Sequence, residues 1–478
     1  MDVYQNYVAG RWVASGATLP VINPSDGAKM AEIARGGAAE IDAAVAAGQA
    51  TMAGAWSKTD AATRGRLLLK LAELIRRESE KLAKMESEDV GKPMTLARND
   101  VAVCARYFEY YGGAADKVHG DTIPFQNGFS VMTFYEPHGV TGHIVPWNYP
   151  LQMTGRSVAP SLAMGNAVVL KPAEDTSLSA LALAKLVEEA GLPPGAFNVV
   201  TGLGEEAGAA LAAHQGIAHI SFTGSREVGT LIQAAAAKNT IPVTLELGGK
   251  SPQVVFSDAN FNEASTTIVR GISQNAGQTC SAGSRVLIDD NVYDQFTGEL
   301  AERFRALRVG SASQDLDLGP VVNATQKVRV ERYLDIARKD RLPILAEGTF
   351  GTNLPAGGFY VKPTLIGDVP PDHQLAQEEI FGPVLVAIRF RDEQDAVRIA
   401  NNTPYGLAAG VWSSDLGRSM RMAQKIQSGQ VFVNNYGAGG GVELPFGGVK
   451  GSGHGREKGF EALYGFGALK TVVIKHGA

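Results

Sequence analysis

The chain has 478 residues, 45% hydrophobic and 19% charged, the balance of an ordinary globular protein with room for two or three domains. A formal net charge of -5 without any run of Lys or Arg argues against nucleic acid or an anionic membrane as partner. No apolar stretch approaches the roughly 18 residues of a membrane span and the first residues lack a secretory pattern, so a cytoplasmic protein is expected.

Residues 60 to 90 place Leu67, Leu68, Leu71, Leu74, Ile75 and Leu82 at helical spacing, which predicts an amphipathic surface helix. Cys104, inside the helical run AVCARYFEYY, reads as a core residue. In residues 118 to 137, Phe129, Val131, Thr133 and Tyr135 alternate, predicting a strand pair outside the main sheet and a candidate edge for a second subunit. From residue 140 short apolar runs alternate with helical segments. The strands are VTGHIV (140 to 145), AVVL (167 to 170), FNVV (197 to 200), HISF (219 to 222) and PVTLEL (242 to 247), with helices near 152 to 164, 176 to 190, 204 to 213 and 226 to 237. Single helices between strands imply right-handed crossovers and a doubly wound parallel sheet, which binds ligands at the carboxyl ends of its strands.

A second alternating series runs through SPQVVF (251 to 256), SRVLIDD, VLVAIRF (384 to 390) and GQVFVNN (429 to 435). The boundary near Gly248 and Gly249 leaves Glu246 at the end of one domain and Cys280 in the next, so the chemistry is expected in an interdomain cleft. Cys104 and Cys280 are the only cysteines and cannot build a disulfide framework. No Cys or His cluster has zinc-ligand spacing, so no metal is expected.

Cys280 lies in NAGQTCSAGSR between Gly277 and Gly283, on a loop where a thiol is accessible enough to react. FTGSREVG (222 to 229) follows a strand and opens a helix. Gly224 permits a tight turn there, and Ser225 with the free N–H groups of the helix suits a phosphate. The fingerprint is incomplete, since Lys250 stands near the usual acidic position, and an ordinary turn is its alternative. Lys171 and Glu174 in LKPAE sit where an adenosine ribose would lie, and a carboxylate there favours NAD over NADP. A solvated pair is the alternative. Asn148 in PWNYP is held between Pro146 and Pro150, rigid enough to aim its amide, although Asn is also a common turn residue. Glu246 in LELGGK ends a strand before two glycines. His143 and His454 show no partner in the sequence and receive no role.

With PWNYP, KPAE, FTGS, LELGGK, GQTC, EEIFGPV and PFGGVKGSGHGRE in this order, the chain resembles the NAD(P)-dependent aldehyde dehydrogenase family over essentially its whole length. The resemblance implies an α/β protein with three parts. A doubly wound dinucleotide-binding domain takes residues 1–117 and 138–248, and a catalytic thiol domain takes 249–449. A small β extension at 118–137 and 465–478 serves oligomerisation, giving a homodimer or homotetramer. It implies Cys280 as nucleophile, Glu246 as general base, and Asn148 with the Cys280 N–H as oxyanion hole. Lys171 and Glu174 would hold the adenosine ribose, Gly224 and Ser225 the pyrophosphate, and Glu379 the nicotinamide ribose. Trp147 and Phe381 would line the cofactor cleft, and Glu457 matches a carboxylate that helps relay protons.

Many members carry Trp-Lys a few residues after PWN(F/Y)P, where this chain has Arg156 and Ser157, and the missing lysine weakens the relay assigned to Glu457. Arg156 either faces the substrate tunnel, where it would meet a carboxylate or hydroxyl on the aldehyde, or forms a surface salt bridge. Tyr149, Arg156, Thr279, Gly437 and Ala438 are assigned to the tunnel. The small residues of YGAGGGVEL (436 to 444) suggest a wide entrance and a medium or bulky apolar aldehyde, aromatic or terpenoid. Alternatives are a carboxylated semialdehyde, transfer of the acyl group to coenzyme A, which Glu246 argues against, and a catalytically silent dinucleotide-binding protein.

Overall fold

Val140–Val145 and Ala167–Pro172 are buried along their whole length, as near-continuous apolar runs require of strands covered on both faces. They pair in parallel, and Phe197–Val199 extends the sheet beyond the second of them. The chain then returns to the other side of Val140–Val145 with His219–Thr223 and Val243–Glu246, again in parallel. Strand order therefore reverses between Val140–Val145 and His219–Thr223, the place where such sheets open a crevice. PWNYP and FTGS leave from these two strand ends, with KPAE and LELGGK on the strands flanking them. Antiparallel edges complete eight strands: Asn6–Val8 with Arg11–Val13 on one side, Gly453–His454 on the other.

The second sheet has seven strands in the order Ile344–Glu347, Thr364–Ile366, Val384–Phe390, Arg285–Asp289, Pro252–Val255, Ala408–Trp412, Gln430–Val433. Only Ile344–Glu347 pairs antiparallel. A three-stranded sheet stands apart, with Gly467–Lys475 antiparallel to Phe129–Pro137 over nine residue pairs and Thr122–Ile123 beyond. This is the α/β architecture read from the sequence, doubly wound sheet, second α/β unit and small β extension included. The structure, a computed structural model, describes residues 2–437 and 441–477. Among these no helix is long and apolar enough to cross a membrane.

Two elements differ from expectation. The helix read over 60 to 90 is two, Ala61–Arg77 and Ser79–Val90, broken at Glu78. Residues 76 to 81 contain no apolar side chain to anchor that turn, so the chain changes direction there. The helix read over 204 to 213 begins with a wide turn at Gly204–Gly208 and becomes regular only at Ala209–Ala213. Glycines at both ends of that turn lower its intrinsic helical preference.

Candidate active site

Helix Phe261–Ser273 delivers the chain to Cys280 through a sharp turn. Asn275, Ala276 and Gly277 all adopt left-handed backbone, at φ of 50°, 54° and 73°. For the two non-glycine residues this conformation is unfavourable and must be held by neighbours. Asn275 Nδ2 donates to the Asn148 carbonyl at 2.9 Å, and Gln278 Nε2 donates to the Asn275 carbonyl at 3.0 Å. Gln278 Oε1 in turn accepts the Val322 N–H at 2.9 Å. At Gly277 any Cβ would strike the backbone of Gly382 and Pro383, so only glycine fits. Cys280 emerges partly buried at the wall of a cavity of about 620 Å³. Burial pushes its thiol up to about 11, Glu379 and Glu246 add to the rise, and the Arg156 charge works against it. Attack near neutral pH therefore needs a proton acceptor.

Asn148 is brought to the same turn from the end of Val140–Val145. Its Nδ2 donates to the Gln278 carbonyl at 2.9 Å, and its Oδ1 is buried without a hydrogen-bond partner among the described residues. One amide hydrogen thus fixes the side chain and the other stays available. The next residue, Tyr149, places its hydroxyl 2.7 Å from Thr279 Oγ1, one residue before the thiol.

Glu246 is 2% exposed, and neither carboxyl oxygen has a hydrogen-bond partner among the described residues. Burial holds its carboxyl well above the ordinary range, although Arg156 pulls the other way. Arg156 is 3% exposed, which removes the surface salt bridge as its description. Its Nη2 lies 3.6 Å from Glu246 Oε2, its Nε donates to Glu457 Oε2, and its guanidinium stacks 4.3 Å from the Phe446 ring centre. Glu457 Oε1 accepts the Ser221 hydroxyl at 2.9 Å, and Ser157 donates to Ser221 at 2.9 Å. His143, which showed no partner in the sequence, continues this chain. Its Nδ1 is 2.6 Å from Ser157 Oγ and its Nε2 2.9 Å from Thr141 Oγ1, and burial pulls it down to about 3, so it stays neutral. His454 also has a partner, Gln233 Oε1 at 2.8 Å.

On the other side of the switch point, Gly224 donates its N–H to the Glu246 carbonyl at 3.0 Å, tying FTGS to LELGGK. Ser225 caps helix Arg226–Ala237 by accepting the Val228 N–H at 3.2 Å. Lys171 Nζ meets Glu174 Oε2 at 2.7 Å, and although burial opposes it, that lysine keeps the Glu174 carboxyl below its ordinary range. Trp147 and Phe381 form an edge-to-face pair 5.3 Å apart. Glu379 Oε1 accepts the Gly249 N–H at 2.9 Å, and burial raises that carboxyl to about 7.

Four of the residues assigned to the tunnel, Tyr149, Arg156, Thr279 and Gly437, line the cavity beside Cys280; Ala438 falls outside the described residues. The cavity also carries residues that the sequence did not single out, among them Tyr107, Phe432, Tyr436, Phe446 and Lys458. Burial lowers Lys458 to about 8, with Arg156 adding to the fall. Tyr107 sits on helix Met94–Ala114 and Phe432 on strand Gln430–Val433, whereas Tyr436, Phe446 and Lys458 lie on loops, and no local pattern marks them. A buried Glu86–Lys92–Asp100 cluster beneath Asn148 was likewise unassigned. Its signal is present, since Glu86 stands four residues after Leu82 on the apolar face of its helix.

Residues 12–472 match the family model described as the aldehyde dehydrogenase family. Hydroxyisobutyraldehyde dehydrogenase of Mycolicibacterium austroafricanum is 44% identical over 471 residues, covering 98% of this chain and 93% of the relative. A crystal structure from Burkholderia cenocepacia that carries the same family name is 57% identical with a TM-score of 0.98, covering 99% of this chain and all of its own. PnpE from Pseudomonas sp. WBC-3, whose structure is also solved with nicotinamide adenine dinucleotide, is 41% identical with a TM-score of 0.96. It covers 99% of this chain and 98% of its own.

Proposed function

The chain belongs to the aldehyde dehydrogenase family and is an oxidoreductase acting on aldehydes; from that premise we propose that it uses NAD and releases the carboxylic acid through a thioester on Cys280. One observation carries this reading. A thiol, an amide and a buried acid with raised proton affinity converge from separate strand ends and loops, with Asn148 Nδ2 bonded 2.9 Å from the carbonyl two residues before the thiol.

In this reading the Cys280 thiol gives its proton to the Glu246 carboxylate, which passes it on to solvent, and the sulfur adds to the aldehyde carbon. The carbonyl oxygen becomes an alkoxide facing the free Asn148 amide hydrogen and the Cys280 N–H, donors already fixed before reaction. NAD, when bound, supplies the hydride acceptor that turns this adduct into a thioester. Glu246 then takes a proton from water, which attacks the thioester and frees the sulfur. Arg156 carries no proton in this scheme, because a guanidinium does not deprotonate in proteins. It neutralises Glu457 and lies within reach of Glu246.

The residues at the switch point fit the cofactor. Gly229 lets helix Arg226–Ala237 approach the sheet closely, since a Cβ there would lie 2.6 Å from Leu247, and the capped helix end faces the crevice with its N–H groups. Lys171 and Glu174 would hold the adenosine ribose and Glu379 the other ribose, with Trp147 and Phe381 at the cleft wall. The Glu174 carboxylate, kept ionised by Lys171, repels a 2′-phosphate and so favours NAD over NADP.

Five aromatic side chains, Tyr107, Tyr149, Phe432, Tyr436 and Phe446, line the cavity, which supports a medium or bulky apolar aldehyde, aromatic or terpenoid. The carboxylated alternative loses its motif, because Arg156 is committed to two carboxylates of the protein itself. NADH absorbance over an aldehyde panel tests the reading. Benzaldehyde or a terpenoid aldehyde should show higher kcat/KM than acetaldehyde and succinic semialdehyde. A maximum at acetaldehyde with steady decline along the series would contradict the substrate class, and no NADH from any aldehyde would favour the silent protein.

A further inference from the structure

Beneath the Asn148 turn lies a sealed ionic cluster. Helix Ser79–Val90 ends at Gly91 in left-handed backbone, Lys92 and Pro93 form the corner, and helix Met94–Ala114 begins. Glu86 comes from the first helix and Asp100 from the second, and all three charged side chains are at most 2% exposed. Lys92 Nζ sits 2.5 Å from Asp100 Oδ2 and 3.3 Å from Glu86 Oε1, and donates to the Asn148 carbonyl at 3.0 Å. It also lies 4.4 Å above the centre of the Tyr149 ring. Glu86 Oε2 reaches the Leu151 N–H at 3.4 Å, so the cluster grips the chain on both sides of Tyr149.

Ions buried this deeply are costly, and replacing such a group by apolar residues is often neutral or stabilising. Two buried acids flank the lysine, yet its ammonium spends a donor on one backbone oxygen. That oxygen belongs to the residue whose side chain faces the thiol turn, and the only other side-chain donor to it among the described residues is Asn275, in the left-handed turn before Cys280. Two donors from separate elements thus hold the Asn148 carbonyl, one from the helical corner and one from the nucleophile turn. Holding the Asn148 carbonyl restricts rotation about its Cα–C bond, while the Nδ2 bond to the Gln278 carbonyl restrains the amide itself.

We propose that Lys92 is a positioning residue for the oxyanion hole: its ammonium, held by Glu86 and Asp100, sets the Asn148 peptide so that the side-chain amide points at the developing alkoxide. The proposal rests on the reading of Asn148 as an oxyanion donor. Misalignment of a catalytic group by about 1 Å costs on the order of 100-fold in rate, so removing the ammonium lowers kcat while leaving the cofactor cleft and the thiol untouched.

The test compares Lys92→Met, Asn148→Ala and the two combined. Lys92→Met should lower kcat about 10- to 100-fold, while NAD affinity by tryptophan fluorescence and the rate of Cys280 alkylation by iodoacetamide stay close to those of the parent. In the Asn148→Ala background the same substitution should add almost nothing, because the group that Lys92 positions is already gone. Unchanged kcat overturns the proposal, as does a loss that is undiminished in the Asn148→Ala background or one matched by lost NAD affinity. If Lys92→Met does not fold, Lys92→Met/Glu86→Gln removes one of the two acids left unpaired and carries the same comparison. Should that variant also fail to fold, the cluster serves stability alone and the proposal falls. Full turnover in Asn148→Ala would retire the oxyanion assignment itself, an outcome distinct from a failure at Lys92.

Discussion

Glu246 is the residue whose surroundings most strongly shape the chemistry. Burial makes its carboxyl hold its proton well above the ordinary range, and Arg156 only partly offsets this. An ordinary glutamate ionises near pH 4.3, so the base form of Glu246 accumulates only at higher pH. The hydrolytic step should therefore accelerate with pH, along a limb displaced upward from that of a free carboxylate. Stability runs the opposite way. The native state keeps a proton that the unfolded chain has released, so the contribution of this group falls as pH rises from the ordinary carboxylate range toward the folded value. Single-turnover decay of the acyl-enzyme across pH reads this directly; a flat profile, or an ascending limb at the ordinary carboxylate pH, would argue against Glu246 as base. The sequence showed Glu246 as an acid at a strand end before two glycines, which is legible. That Arg156 would be buried between Glu246 and Glu457 was not, because the three lie on a strand, a helix and a distant loop, and only the fold brings them together.

Among the elements, the turn at Asn275, Ala276 and Gly277 concentrates backbone strain directly before the nucleophile. Gly277→Ala places a methyl group against Gly382 and Pro383 in a left-handed conformation. It should cost about 1–3 kcal/mol, lower the melting temperature, and reduce turnover by shifting Cys280. Gly113→Ala is the matched control. That glycine is exposed inside helix Met94–Ala114 with nothing near its Cβ position, and the change should stabilise by about 0.5–1 kcal/mol. Equal melting temperatures for the two variants would show that the turn is not under the constraint described. The glycine flanking Cys280 was visible in the sequence as a loop signal, whereas two non-glycine residues in left-handed backbone beside it were not. Propensity assigns such residues to helix or coil, and here hydrogen bonds from Asn275 and Gln278 decide. The five parallel strands of the first sheet and four of the seven in the second were legible because continuous apolar runs of that length have few other uses, whereas Ile344–Glu347, Thr364–Ile366 and Ala408–Trp412 were not read from the sequence. The break at Glu78 was not, since helical spacing on either side of it is preserved.

At the scale of the whole molecule, the two sheets place their chemistry on either side of a short link from Val243–Glu246 to Pro252–Val255. The separate three-stranded sheet leaves Leu469 and Val473, on one face of Gly467–Lys475, about half exposed, apolar surface that a single chain does not cover. Burial of that face against a second subunit is the expectation. The parent should sediment as a multiple of 50.4 kDa, and Leu469→Lys/Val473→Lys should shift it toward a single chain. A parent that already sediments at 50.4 kDa would refute the contact. The alternation in residues 118 to 137 announced this sheet, and the family resemblance joined 465–478 to it, although the two strands lie more than 300 residues apart in the chain. Everything proposed for catalysis depends on an acyl group passing through Cys280. Rapid quenching of Glu246→Gln with NAD and benzaldehyde, followed by peptide mass spectrometry, should find benzoyl on the peptide that holds Cys280 and on no other. Benzoyl on a different residue, or NADH formation by Cys280→Ser at the parent rate, would contradict the account.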